Sequence, residues 1–210
     1  MTDWQTISSL ATAGGTLVLA VATFSAVRSA NRSASVAEEG YLTGLRPLLV
    51  HSLAEDHVQK VGWSDRHFAE LGGGQAVLEE NDGVIYLAMG LRNAGSGIAL
   101  LHGWYPMPDR AFVTESHASA LDFRRLTIDL YIPPAGAGYW AGAVRNHDDP
   151  ARPALLSALS ERRPFTIDLL YGDQMGRQHT ISRFTVLPDD GEGWFCRGVK
   201  HWNLDGPDPR

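Results

Sequence analysis

Eight histidines, one cysteine and a scatter of aspartates are the residues of this 210-residue chain that could carry chemistry, and their spacing decides which chemistry is open. His147-Asp148-Asp149 is the densest cluster, but three adjacent side chains rarely converge on one ion without ligands from elsewhere. It reads as a polar loop whose Asp149 caps a helix. Ser64-Asp65-Arg66-His67 holds the residue types of a hydrolytic triad, yet sequence neighbours do not reach triad geometry. A solvated hairpin tip accounts for it. His102, beside Trp104 and Tyr105, fits a hydrogen-bonded structural role at a strand end. Cys196 is the single cysteine, so an intrachain disulfide and a four-thiolate zinc site are both excluded. The zincin, nucleophile-elbow, P-loop and Cys-x-x-Cys signatures are absent from the sequence. No catalytic, metal-ligating or cofactor-binding residue is therefore assigned. A site assembled by the fold stays open, and two or more of His51, His102, His147 and His179 meeting in one pocket would point to a hydrolase or metal-dependent enzyme.

The best binding candidates are aromatic. Trp104-Tyr105-Pro106-Met107-Pro108 and Tyr139-Trp140 could present flat apolar faces to a partner. The competing reading is that Trp104, Tyr105, Tyr139 and Trp140 fill the core of a domain this size.

These residues need elements to position them, and the first element is of a different kind. Between Asp3 and Arg28 run 24 uncharged residues, Trp4 to Val27. As a helix they span ~36 Å, enough to cross a hydrocarbon core of about 30 Å. No Lys or Arg precedes the run, so a cleaved signal peptide lacks its basic start. Residues 1–27 are read as a short tip and a retained transmembrane helix, with the lipid bilayer as its first partner. Arg28, Arg32 and Arg46 lie on the C-terminal flank. Sixteen Arg against two Lys, beside abundant Ala and Gly, hint at a GC-rich bacterial genome, and the positive-inside bias then places the soluble part in the cytoplasm.

Residues 28–45 continue as a helical stem that stops before Pro47. A 4-3 spacing of small residues runs through span and stem, beginning Ser9, Ala13, Thr16, Ala20 and Thr23. Such a seam suits self-association or docking against another membrane protein's helix, although the Ala-, Gly-, Ser- and Thr-rich composition produces a similar register by itself.

Residues 46–204 read as one mainly β domain. Strand-length apolar runs appear at 46–53, 75–79, 84–93, 98–105, 124–132, 138–145, 165–171, 177–187 and 194–201. One short helix interrupts them after Asp149-Pro150, with Ala151, Ala154, Leu155, Ala158 and Leu159 as its apolar stripe and Arg162-Arg163-Pro164 at its end. Many strands and one inserted helix make a sandwich or an open barrel. Residues 205–210 read as a flexible tail. The net charge of −6, with no basic stripe, excludes a nucleic-acid binder.

Two turns carry a resemblance. Leu91-Arg92-Asn93-Ala94-Gly95-Ser96-Gly97-Ile98-Ala99 resembles the Asn-x-Gly-x-Gly-x-Ala turn of bacterial immunoglobulin-like domains. Tyr171-Gly172-Asp173-Gln174-Met175-Gly176-Arg177 is similar to their late hairpin. With the helix-first layout and the His201-Trp202-Asn203-Leu204-Asp205 ending, the chain looks like uncharacterised actinobacterial single-pass proteins. The resemblance implies an immunoglobulin-like sandwich and carries no catalytic residues. The glycines are expected to supply positive φ. Function is read as a membrane-anchored, noncatalytic interaction or scaffolding module. The alternatives are the dispersed-histidine enzyme and an extracytoplasmic ligand-binding sensor.

Overall fold

The computed structural model describes residues 4–108 and 116–208, without the side chains of residues 4–7, 9, 11, 42, 43, 127 and 199. It divides into two compact units, residues 1–44 and 45–210.

The first unit is one unbroken helix, α1 (Trp4–Gly44). Span and stem are a single rod of ~60 Å. Every described side chain on it is exposed, Leu17 and Phe24 at 67% and 69% among them. Three hydroxyls in its apolar part turn inward on the backbone: Thr12 donates to Ser8 O, Thr16 to Thr12 O and Ser25 to Ala22 O, each at 2.8 Å. The stretch Thr12–Tyr41 contains 18 consecutive residues of mean hydropathy 1.3, which makes this helix long and apolar enough to cross a membrane. Arg28, Arg32, Glu38 and Glu39 fall in its second half, which leaves Trp4–Val27 as the uncharged part.

The second unit is mainly β. Its strands are β1 (Leu49–His51), β2 (Gln59–Gly62), β3 (Phe68–Leu71), β4 (Gln75–Asn81), β5 (Val84–Asn93), β6 (Ala99–Met107), β7 (Arg124–Ile132), β8 (Ala137–Val144), β9 (Phe165–Gly172), β10 (His179–Pro188) and β11 (Trp194–Asn203). The main sheet runs β1-β5-β4-β11-β10-β9-β6-β7, and β8 lies on the other edge of β5. Only two residue pairs join β4 to β11, so the sheet folds over on itself there. Alternation then sends Leu87, Met89, Trp140, Phe165, Leu169, Tyr171 and Phe184 into one core.

Strands β9 and β10 are buried on both faces. Their outer face holds Leu170 and Ile181, covered by Phe123, Ala118 and Trp202. The β2–β3 hairpin was not among the sequence-predicted strands, because only Val61 and Leu71 face the core in it. It lays these two residues on Ala88, Val77 and Tyr139 of the main sheet.

The free edge of β8 is satisfied by side chains. Gln59 Nε2 donates to Gly138 O at 3.1 Å, Trp63 Nε1 to Gly142 O at 2.9 Å and Arg152 Nη1 to Val144 O at 3.5 Å. A sheet edge covered this way offers no template to another strand.

Helix α2 (Arg152–Ser160) starts later than the sequence suggests. Its cap position is Ala151, with no side-chain cap. Asp149 instead closes the preceding turn, its Oδ1 accepting from Ala151 N at 2.9 Å. At the other end Arg162 sits at φ 50°, and Arg163 N donates to Ala158 O at 2.9 Å. That is the Schellman closure normally made by glycine. The Arg162 guanidinium adds bonds to Glu192 O, Asp189 O and Gly193 O, tying the β10–β11 turn to the helix end.

The two resembling turns use glycine differently. Gly176 has φ 67°, as expected. Gly95 and Gly97 do not have positive φ; a Cβ on either would collide with backbone of Leu45, Arg46 and Leu48, which crosses directly over them. Asn93, 1% exposed, holds this crossing by accepting from Leu48 N and Gly95 N and donating to Gly97 O and Ile132 O. The tail is also pinned rather than free as far as Asp208. Asp205 pairs with Arg46 at 2.6 Å, and Asp208 accepts from Asn203 N at 3.0 Å.

Candidate functional site

Tyr105 and Trp104 are neighbours on β6, so the strand sends them to opposite faces. Trp104 goes inward, 3% exposed, and meets Trp140, 0% exposed, edge-on at 5.1 Å between ring centroids. Neither indole presents the flat exposed face that the sequence reading allowed it. Tyr139 is half-buried under the β2–β3 hairpin. Trp104 and Tyr139 border a small cleft of about 150 Å³ with Trp63 and Arg125, and Tyr105 lines a larger one.

That cleft has a volume of about 660 Å³ and lies between the end of β6, the segment around Ser116–Ala118, Arg124 and the turn before α2. Residues 109–115, between Pro108 and Ser116, lie outside the described residues. Tyr105, Pro106, Met107 and Pro108 give its apolar wall, while Asp122, Arg124 and Asp149 give its charge. Arg124 is fixed twice: its Nη2 donates to Asp149 Oδ1 at 2.7 Å, and its guanidinium lies 4.8 Å from the Trp104 ring centroid. His117 Nδ1 is 2.7 Å from Ala118 O; a carbonyl only accepts, so this nitrogen carries the hydrogen.

Behind the cleft is an ion pair with no access to water. Arg183 Nε and Nη2 donate to Asp168 Oδ1 and Oδ2 at 2.7 and 2.8 Å, and both side chains are 0% exposed. Arg183 also donates to Ser116 O at 2.8 Å and stacks over Trp202 at 4.9 Å, while Asp168 accepts from Ala118 N. The pair thereby fixes the Ser116–Ala118 wall to β9 and β10. Sequence reading missed it, although a signal exists: Asp168 and Arg183 are equidistant from the Asp173–Gln178 turn, so a hairpin must place them opposite one another.

Ser64-Asp65-Arg66-His67 is an exposed hairpin tip, as expected, and two of its side chains also bond to the main sheet. Asp65 accepts from Tyr86 Oη at 2.7 Å and from Arg145 at 2.9 Å, and His67 stacks on Tyr86 at 3.9 Å while its Nε2 meets Glu79 at 2.6 Å. Burial pushes the Asp65 carboxyl up, but the hydrogen bonds from Tyr86, Arg145 and His67 N outweigh it and hold the pKa below its usual value.

Of the four histidines tested for convergence, His102 and His179 come together, their rings 5.6 Å apart across Gly172. Burial, then the neighbouring His179, lowers the His102 pKa. His147 lies over Gly83, and His51 reaches Gly198 N. Among the described residues no group of three His, Cys, Asp or Glu is placed to hold a metal. Cys196 is 2% exposed, and burial pushes its thiol up to about 12. It is packing, not a nucleophile. On α1, Ala13, Thr16, Ala20 and Thr23 are exposed, while the side chain of Ser9 lies outside the described residues.

No family model and no curated protein matches the chain. A solved structure described as a protein from Archaeoglobus fulgidus aligns over 62% of this chain and 94% of its own, at 11% identity and a TM-score of 0.25. That likeness carries no argument about fold or function.

Proposed function

We propose that this is a single-pass bacterial membrane protein in which Trp4–Val27 crosses the bilayer and the β domain acts in the cytoplasm as a noncatalytic binding or scaffolding module. One observation carries the anchor: an uncharged helical stretch whose described side chains are all exposed and whose described hydroxyls at Thr12, Thr16 and Ser25 are returned to the backbone. Such a surface is unfavourable in water and suited to lipid. Arg28, Arg32 and Arg46 support the orientation. The partner site of this reading is the Tyr105–Pro108 cleft, where an apolar wall meets the held charges of Arg124 and Asp149. The turn resemblance supports an immunoglobulin-like relation for the domain.

The anchor is tested by alkaline carbonate extraction of membranes: the full chain is expected in the pellet, and its release to the supernatant would refute the span. The partner site is tested by a photo-crosslinking residue at Tyr105 in the full-length, membrane-embedded chain, with the exposed Val58 as control site. A discrete adduct at Tyr105 is expected. Equal, diffuse labelling at both positions would remove the cleft from the proposal.

A second reading, the enzyme built from dispersed histidines, is favoured by the approach of His102 and His179. The extracytoplasmic sensor is decided by topology.

A further inference from the structure

Strand β1 is held along one edge by the ladder to β5, but along the other by side chains. Leu49 N donates to Tyr171 Oη at 3.1 Å, and Gly198 N donates to His51 Nδ1 at 3.3 Å. Arg46, just before the strand, reaches Thr180 at 3.4 Å and Asp205 at 2.6 Å.

The Tyr171 contact is the end of a relay. Tyr171 Oη is 2.8 Å from Ser182 Oγ, and Ser182 Oγ is 2.7 Å from His201 Nδ1. Tyr171 and Ser182 are 0% exposed. A backbone amide can only donate, so Tyr171 accepts from Leu49 and gives its own hydrogen to Ser182. Ser182 in turn gives its hydrogen to His201 Nδ1. Each hydroxyl donates once and accepts once, and the direction holds only while Nδ1 is unprotonated.

Protonation at Nδ1 puts a donor at both ends of the relay. One hydroxyl hydrogen then has no acceptor inside a buried seam, which the fold tolerates poorly. We infer that His201 is an acid-sensitive latch on β1: while neutral it completes the relay that holds Leu49, and on protonation it loosens residues 45–53.

The surroundings favour a neutral ring. Burial lowers the His201 pKa. Tyr171 of β9 is pushed up to about 12 by burial and stays neutral throughout. On β10 the charged Arg183 points to the other face, paired with Asp168. From the β1 segment come His51, engaged by Gly198 N, and Arg46, paired with Asp205. On β5, Arg92 faces Asp56 at 3.8 Å. No carboxylate among these compensates a charged His201.

The sign follows. A base whose folded pKa is lowered leaves the folded form with fewer bound protons than the loosened form. The hold on β1 therefore weakens as pH falls through the ordinary histidine value, about 6.5, toward the lowered folded value. Because β1 is the first strand after α1 in sequence, acidification would make the segment that follows the helix open more often, while the β5 ladder still holds it most of the time.

Hydrogen exchange on the full-length chain in detergent tests this, with residues 45–53 compared to β9 at about pH 7.5 and about pH 5.5, corrected for intrinsic rates. Protection of 45–53 is expected to fall about tenfold at the lower pH, the worth of one buried hydrogen bond, while β9 holds. His201→Asn keeps an acceptor near the Nδ1 position without titrating, and its protection is expected to be pH-independent. Undiminished protection of wild type at the lower pH would overturn the latch. An equal fall in His201→Asn would place the sensitivity elsewhere, His51 first. If His201→Asn does not hold β1 at either pH, nitrogen NMR of the wild-type ring decides: hydrogen on Nε2 at about pH 7.5 supports the relay, and hydrogen on Nδ1 refutes it.

Discussion

The helix and the β domain solve opposite solvent problems. In the domain, Trp140, Phe165 and Leu169 are fully buried, and the ionisable and hydroxyl groups of Asp168, Arg183, Tyr171 and Ser182 go in with them as bonded partners, while Trp140 Nε1 and Thr185 Oγ1 go in without one. On α1 the arrangement is reversed: Leu17, Leu19, Val21 and Phe24 face outward, while the hydroxyls of Thr12 and Thr16 bond to their own helix. Polar groups in the domain depend on distant partners, whereas those on the helix depend on the residue one turn back. A polar side chain should therefore be costly to disturb in the domain and nearly silent on α1, while an added charge should behave the other way.

The largest effect is expected where the domain has committed most. Asp168→Ala leaves Arg183 buried without its carboxylate and should lower unfolding stability by about 3–5 kcal/mol, read from urea denaturation of the detergent-solubilised chain. A loss below about 1 kcal/mol would mean that Ser116 O and Trp202 suffice for Arg183. On the helix the comparable insult is Leu17→Arg, which should cost about 2.5–3.5 kcal/mol of membrane insertion. It is scored as the membrane-to-soluble ratio in cells, with the domain's melting unchanged.

A matched pair sharpens the contrast at smaller scale. Ser182→Ala removes the acceptor of Tyr171 and the donor to His201, so a loss of about 1–3 kcal/mol is expected in the same denaturation. Thr16→Ala removes a hydroxyl already spent on Thr12 O, and insertion should change by less than about 0.5 kcal/mol. If the two hydroxyls prove equally costly, the contrast between the regions fails.

Strand positions were legible wherever an apolar run met a turn, and β5, β7 and β9 sit close to their sequence-predicted bounds. β2 and β3 were not, since two core residues in a polar stretch give no period to read. Which of two adjacent aromatics faces outward was not legible, for a simple reason. In Trp104-Tyr105 and Tyr139-Trp140 one ring of each pair must face inward, and sequence does not say which; in both cases it is the tryptophan. Asp149 was read as the helix cap, but the cap position falls two residues later at Ala151, and Asp149 instead accepts from Ala151 N in the preceding turn. Gly95 and Gly97 were recognised as required, although close approach of the backbone at residues 45–48 is the cause. The Tyr171–Ser182–His201 relay depends on β10–β11 register across a bulge at Arg183/Phe184, and no local pattern announces it.

Topology is the most direct test of the anchored, inward-facing domain. The native thiol of Cys196 is buried and held far from its thiolate form, so with Cys196→Ser as background a single cysteine appended after Arg210 becomes the reporter. Cells are treated with a membrane-impermeant maleimide, intact or after lysis. Labelling only after lysis is the result predicted here. Labelling of intact cells would contradict it, placing the β domain outside and making an envelope sensor the better description.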